Sequence, residues 1–263
     1  MADNNSRPVV RRLHKGRVCG CVTILIIIII LISTLISSCN KKNGEEKKPD
    51  ATDVVANQTV TTSAEQVKKN YIICVDPGHG GDDVGSGNSV RYEKVDNLRY
   101  ATVVYDELKK RENIDAIMTR TDDTYLDNEQ RAKFANDAKA DLYLALHRNE
   151  SDDKSANGIE VWIQQEKSVV DEVLGFKLTE ALKAVGVQSN RGVQAGYTND
   201  SQNNFQIIEW TDMPACIVEL GFISNDEDNR LFDENYKEYA IAIADVVEEM
   251  CTDGYLDNLP PKH

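Results

Sequence analysis

The chain has 263 residues, of which 41% are hydrophobic and 28% charged, enough for one ordinary soluble domain with appendages. Its net charge of -14 argues against a nucleic-acid partner, because phosphate binding needs clustered Lys and Arg. Six scattered cysteines, with no Cys-x-x-Cys pair, argue against a disulfide scaffold and against a thiolate metal site.

Residues 1–21 are polar and basic, with Arg7, Arg11, Arg12, Lys15 and Arg17, and read as a cytoplasmic N-terminus. Residues 22–38 carry no charge and are dominated by Ile and Leu. Counted from Cys19, the uncharged span is long enough to cross a bilayer. The positive-inside rule places everything after Ser38 outside the cytoplasm. Three readings of this segment stay open: a retained transmembrane anchor, a cleaved signal peptide, and a lipoprotein signal. The third rests on Leu35-Ile36-Ser37-Ser38-Cys39, where small residues precede a cysteine, although Ile36 stands where such sites usually carry Leu. All three export the remainder of the chain. Residues 39–70 are rich in Asn, Lys, Glu, Thr, Ser and Gln and read as a flexible linker between a membrane and the domain that follows.

The folded domain is expected over residues 71–253, with a short tail at 254–263. Tyr71 to Val75 is an apolar strand that runs into Asp76-Pro77-Gly78-His79-Gly80-Gly81, a turn whose proline and glycines suit an abrupt change of direction. Glu93 follows, then a helix capped by Asp96 or Asn97 with Leu98, Ala101, Tyr105 and Leu108 on one face. Ile114 to Thr119 is a second strand. A helix starts at Asp127 or Asn128 and carries Ala132, Ala135 and Ala138 inward. Leu142 to Leu146 is a third strand, delivering His147 at its end, and Ile159 to Ile163 a fourth. A long amphipathic helix spans Lys167 to Val185, and Arg191-Gly192-Val193 opens a short strand. Pro214 to Val218 is another strand, delivering Glu219, and Asn235 to Met250 forms the closing helix. Cys74 and Cys216 lie in apolar runs and pack as small hydrophobes. Strands alternating with helices predict an α/β domain: a mostly parallel, mixed sheet sandwiched between helices.

In open α/β sheets the carboxyl ends of strands are where ligands bind. His79 and His147, two of the four histidines, and Glu219 all follow buried strands, and Glu93 lies in the loop before the first helix. Two imidazoles and a carboxylate are a common donor set for catalytic zinc. Taken singly, each of these residues also reads as an ordinary turn or loop residue, and the spacing alone does not choose. His14 and His263 stand at the two extremes of the chain and are not ligand candidates.

Six ordered blocks do choose. Val75 to Gly81, Glu93-Lys94 with Asn97-Leu98, Thr119 to Asp123, Arg131 with Ala135-Asn136, Leu146 to Asn149, and Val218 to Asn225 together resemble the zinc-dependent N-acetylmuramoyl-L-alanine amidase family, the type 3 amidase domain of bacterial cell-wall hydrolases. The resemblance covers residues 71–253. It implies that His79, Glu93 and His147 hold one zinc ion per chain, that Glu219 is the catalytic carboxylate, and that Arg120, Arg148 and Asn149 are candidates for contact with substrate. The implied substrate is peptidoglycan, cut between N-acetylmuramic acid and L-alanine. The implied location is outside the membrane, facing the cell wall, with any regulatory protein partner unknown. Two departures stand out: Ala145 where the family usually has Ser, and Arg148 where it usually has a small residue. Two rival readings remain, a zinc peptidase acting on stem peptides and a non-catalytic, membrane-tethered wall-binding or regulatory domain.

Overall fold

Apolar runs without charge form the centre of the protein because only strands covered on both faces can bury them. The computed structural model describes residues 69–166, 168–196, 205–257 and 259. In chain order the elements are β1 (Tyr71–Pro77), α1 (Glu93–Leu108), β2 (Ile114–Met118), α2 (Asn128–Asp137), β3 (Leu142–Asn149), β4 (Ile159–Ile163), α3 (Val169–Ala184), β5 (Asn190–Ala195), α4 (Gln206–Glu209), β6 (Ala215–Phe222) and α5 (Asp226–Thr252). The six strands form one sheet in the order β2-β1-β3-β6-β4-β5. β2, β1, β3 and β6 run parallel, β4 runs antiparallel to β6, and β5 runs parallel to β4. The expected mixed sheet between helices is therefore present.

Strand alternation divides the core in two. Ile73, Val75, Leu142, Leu144, Leu146, Cys216 and Val218 pack on one face against α1, α3 and α5. Cys74, Tyr143, Ala145, Ala215 and Ile217 pack on the other face against α2 and α4. The second cluster is smaller, and the space it leaves at the carboxyl ends of β1, β3 and β6 is where the candidate site lies.

Two helix starts differ from expectation. α1 begins at Glu93 after Tyr92, and Tyr92 makes no side-chain cap. Asp96 and Asn97 do not cap it because their side chains are committed elsewhere: Asp96 accepts from Arg91 and Arg148, and the Asn97 amide donates to Glu93 and to the Gly78 carbonyl. α5 begins at Asp226, well before Asn235. Asn225 accepts from the Asp228 N–H, and three acidic residues in the first turn suit the positive end of the helix dipole. By contrast α2 starts as expected, with Asp127 and Gln130 forming a reciprocal capping box. The four-residue helix α4 had no counterpart in the sequence pattern. Among the described residues no helix is long and apolar enough to cross a membrane; the apolar segment 22–38 and the linker lie outside the described residues.

Candidate active site

The site is built at the carboxyl ends of parallel strands, and its first part is the turn after β1. His79 sits there with φ 61°, a conformation uncommon outside glycine. The neighbours that hold it so are long cations. Arg131 donates to the Pro77 and His79 carbonyls at 2.9 and 2.8 Å. Arg120 donates to the Pro77 and Gly78 carbonyls, each at 2.9 Å. Lys94 donates to the Gly81 carbonyl and to Asp123, both at 2.7 Å. The Thr119-to-Asp123 block therefore braces the His79 turn.

Glu93, at the first position of α1, reaches both imidazoles. Its Oε2 lies 3.2 Å from His79 Nε2 and its Oε1 lies 2.9 Å from His147 Nδ1. Backbone N–H groups of Ser86 and Arg148 donate to the same carboxylate at 2.9 and 3.0 Å. Burial works against ionisation of Glu93, yet the hydrogen bonds from His147 and His79 hold its pKa well below the usual carboxylate range. Burial likewise lowers the His79 pKa, but Glu93 and Asp83 outweigh it and push the imidazole up to about 9. Asp83 lies 2.8 Å from His79 Nδ1 and fixes the ring orientation. His79, Glu93 and His147 each present a donor atom within 4.8 Å of the others, a grouping able to hold a metal ion.

Glu219 completes the centre from β6, directly opposite His147 in the β3–β6 register. It is half-buried, and its Oε2 has no hydrogen-bond partner among the described residues. Burial pushes its carboxyl well above the usual range, and the negative charges of Glu93 and Glu160 add to the effect. Glu160 faces Glu219 from β4 and is itself paired with Arg191 at 2.8 Å and with Asn149 at 2.6 Å. All of this opens on a cavity of about 860 Å³ whose lining includes His79, Glu93, His147, Arg148, Asn149, Ile207, Trp210 and Glu219.

The structure thus brings His79, Glu93, His147, Arg148, Asn149 and Glu219 to one cavity, whereas Arg120 is not among its lining residues. Arg148 is fully buried on the opposite face of the sheet from His147. It donates to Asp96 at 2.8 Å and Asn229 at 2.9 Å, and lies 4.3 Å over the Phe232 ring, so its guanidinium ties β3 to α1 and α5. Arg120 is buried under the turn it braces. The sequence pattern missed Asp83, Glu160 and Trp210. Asp83, four residues after His79, was the one with a local signal.

Gly78 leaves no room for a side chain: a Cβ there would lie 2.1 Å from Cε1 of His147. Gly78→Ala is expected to displace the His147 ring and weaken metal binding and activity by about 10- to 100-fold, the range seen when an orienting neighbour of a ligand is lost. Metal titration of the purified variant checks it.

Fold and donor set together define a class: α/β domains with a two-histidine, one-glutamate group and a further unpartnered glutamate at the carboxyl ends of parallel strands. Comparison with known proteins places the chain within that class. Residues 73–249 match the family described as N-acetylmuramoyl-L-alanine amidase. A protein described as a probable cell wall amidase, LytH of Staphylococcus aureus, is 34% identical over 182 residues, which is 68% of this chain and 56% of that protein. The chain thus spans about half the length of the curated relatives it matches. The catalytic domain of CwlV, an N-acetylmuramoyl-L-alanine amidase from Bacillus (Paenibacillus) polymyxa var. colistinus, is a solved structure 32% identical with a TM-score of 0.62, covering 69% of this chain and 98% of that one. An N-acetylmuramoyl-L-alanine amidase from Clostridium difficile 630 is 29% identical with a TM-score of 0.62, covering 73% of this chain and 100% of that one. The chain belongs to the N-acetylmuramoyl-L-alanine amidase family.

Proposed function

We propose that the protein hydrolyses the amide bond between N-acetylmuramic acid and L-alanine in peptidoglycan, with His79, Glu93 and His147 holding a zinc ion and Glu219 moving the proton. One observation carries this reading: three donor atoms from three separate elements converge beside a buried carboxylate oxygen without a partner, in an open cavity. The donor set suits zinc, since two neutral imidazoles and a single carboxylate leave the ion net positive. Bound there, zinc would polarise the amide carbonyl and make water a better nucleophile at neutral pH.

The chain's own residues supply the rest. Glu219 accepts a proton from the attacking water and returns it to the departing amine of L-alanine. Asn149, held by Glu160 at the cavity wall, is placed to contact the stem peptide. Asp83 keeps the His79 ring aimed at Glu93. Arg148 and Arg120 act only by holding the strands and the turn in place.

The N-terminal segment fits this role as an anchor or lipoprotein signal, leaving the catalytic domain outside the membrane and facing the wall. The test is metal analysis of the purified protein together with mass spectrometry of digested peptidoglycan. One zinc per chain and free stem peptides with N-terminal L-alanine support the reading. Cuts within the stem peptide would instead identify a peptidase.

A further inference from the structure

The groove continues past the two histidines. A second lobe of about 510 Å³ adjoins the first, with His79, His147 and Trp210 in the wall common to both. Tyr125, Leu126, Asp127 and Glu129 border this second lobe. Two large aromatic residues on it are open to solvent: Trp210 is 41% exposed and Tyr125 52%. Open aromatic rings at a cavity edge stand out, because such side chains contribute most when covered.

Neither ring is on a loose backbone. Asn136 clamps the Trp210 segment from both sides, donating to the Trp210 carbonyl at 2.9 Å and accepting from the Asp212 N–H at 3.0 Å. The Trp210 N–H bonds the Gln206 carbonyl at 3.0 Å. Tyr125 packs against the His79 turn so closely that a Cβ at Gly81 would lie 2.9 Å from its own Cβ. The backbone that carries both rings is therefore held in place beside the two histidines.

A hexopyranose offers one flat C–H face and a rim of hydroxyls. Flat rings take the first, and carboxylates take the second as acceptors. The lobe has both, with Glu129 at its edge. A stem-peptide amine over the Trp210 ring is the competing occupant. The sugar fits better on two counts. There are two aromatic residues with apolar Leu126 beside them. And the Asp127 and Asp83 carboxylates already accept protein donors, from the Gln130 N–H and from His79 and the Gly85 N–H.

We infer that Trp210 and Tyr125 form a stacking platform for a pyranose ring of the glycan strand. The sugar side of the scissile bond then lies in this lobe and the peptide side lies in the lobe of Asn149 and Glu219, an orientation that rests on the amidase reading above. The platform can be tested apart from that reading, because the chain has two tryptophans and the other, Trp162, is buried.

The full-length protein in detergent is titrated with N-acetylglucosamine tetrasaccharide, a glycan without a muramoyl–alanine bond, and followed by tryptophan fluorescence and by calorimetry. The expected result is a saturable fluorescence change that Trp210→Phe abolishes. Calorimetric binding persists in Trp210→Phe and weakens on the order of tenfold in Trp210→Ala. On glycan strands bearing stem peptides, Trp210→Ala raises KM by a larger factor than it lowers kcat. A wild-type protein that cleaves peptidoglycan but does not bind the tetrasaccharide overturns the platform and leaves the amidase standing. A fluorescence response to free stem peptide, and none to saccharide, overturns it in favour of an amine site. Saccharide binding without hydrolysis of any muramoyl–alanine bond supports the platform and overturns the amidase.

Discussion

Glu219→Gln is expected to lower turnover by about 10²- to 10⁴-fold while leaving metal content unchanged, the range that positioned proton transfer supplies. The amide is nearly the same size as the carboxyl, so the cavity keeps its shape, but it cannot accept the proton. No donor among the described residues bonds Glu219 Oε2. The substitution therefore breaks no hydrogen bond there and removes a carboxyl that burial and two neighbouring carboxylates disfavour in its charged form. The melting temperature is accordingly expected to stay level or rise, as when a site held against its own stability is relaxed. His79→Ala, by contrast, should lose metal and turnover together. Steady-state kinetics, metal analysis and a thermal melt on both variants separate the two roles. Near-normal rates in Glu219→Gln would remove Glu219 as the base.

Asp76→Ala is expected to be the most destabilising single change near the site, by about 3–5 kcal/mol, the cost of removing one partner of a buried ion pair. Asp76 is almost wholly buried beneath the turn. It accepts from Arg131 at 2.6 Å and from the Tyr143 hydroxyl at 2.5 Å, and also from Thr119. Alanine would leave the buried Arg131 charge without its counter-ion, although its bonds to the Leu126, Pro77 and His79 carbonyls remain, and would leave the buried Tyr143 hydroxyl without its acceptor. For a domain of this size the melting temperature should fall by roughly 10 °C. Asp76→Asn keeps an acceptor and loses only charge, so its effect should be smaller. The double variant with Arg131→Ala should cost less than the sum of the singles, because each already leaves the other unpaired. A thermal-melt double-mutant cycle measures this directly, and additive losses would show that the pair does not act as a unit.

Much of the site was legible because its residues sit where chemistry and sequence pattern coincide. His79, His147 and Glu219 each follow an uninterrupted apolar run, and such runs become adjacent parallel strands. What escaped was set by contacts distant in sequence. Arg148 read as a site neighbour because it is next to His147. Strand alternation carries the opposite message: Leu142, Leu144 and Leu146 share its face, whereas Tyr143 and Ala145 share that of His147. Asp96 resembled a helix cap because its partners, Arg91 and Arg148, cannot be paired from spacing alone. Glu160 lies within the expected strand Ile159 to Ile163 with nothing local to single it out, and its position opposite Glu219 follows only from the antiparallel placement of β4. Trp210 left no periodic trace, since the helix before it is four residues long.

The place of β6 in the sheet sets when the protein can become active. It is the last strand of the described chain, yet it lies between β3 and β4. Before it arrives, β4 and β5 have no strand joining them to β1, β2 and β3, and the site lacks Glu219. Closing the sheet means inserting a late segment between two earlier ones, a long-range step that is slow compared with local folding. A chain still emerging, or cut before residue 215, holds the histidines without Glu219. The complete set of site residues is thus present only once β6 has joined the sheet, so a copy cut before residue 215 holds the two histidines and Glu93 without Glu219.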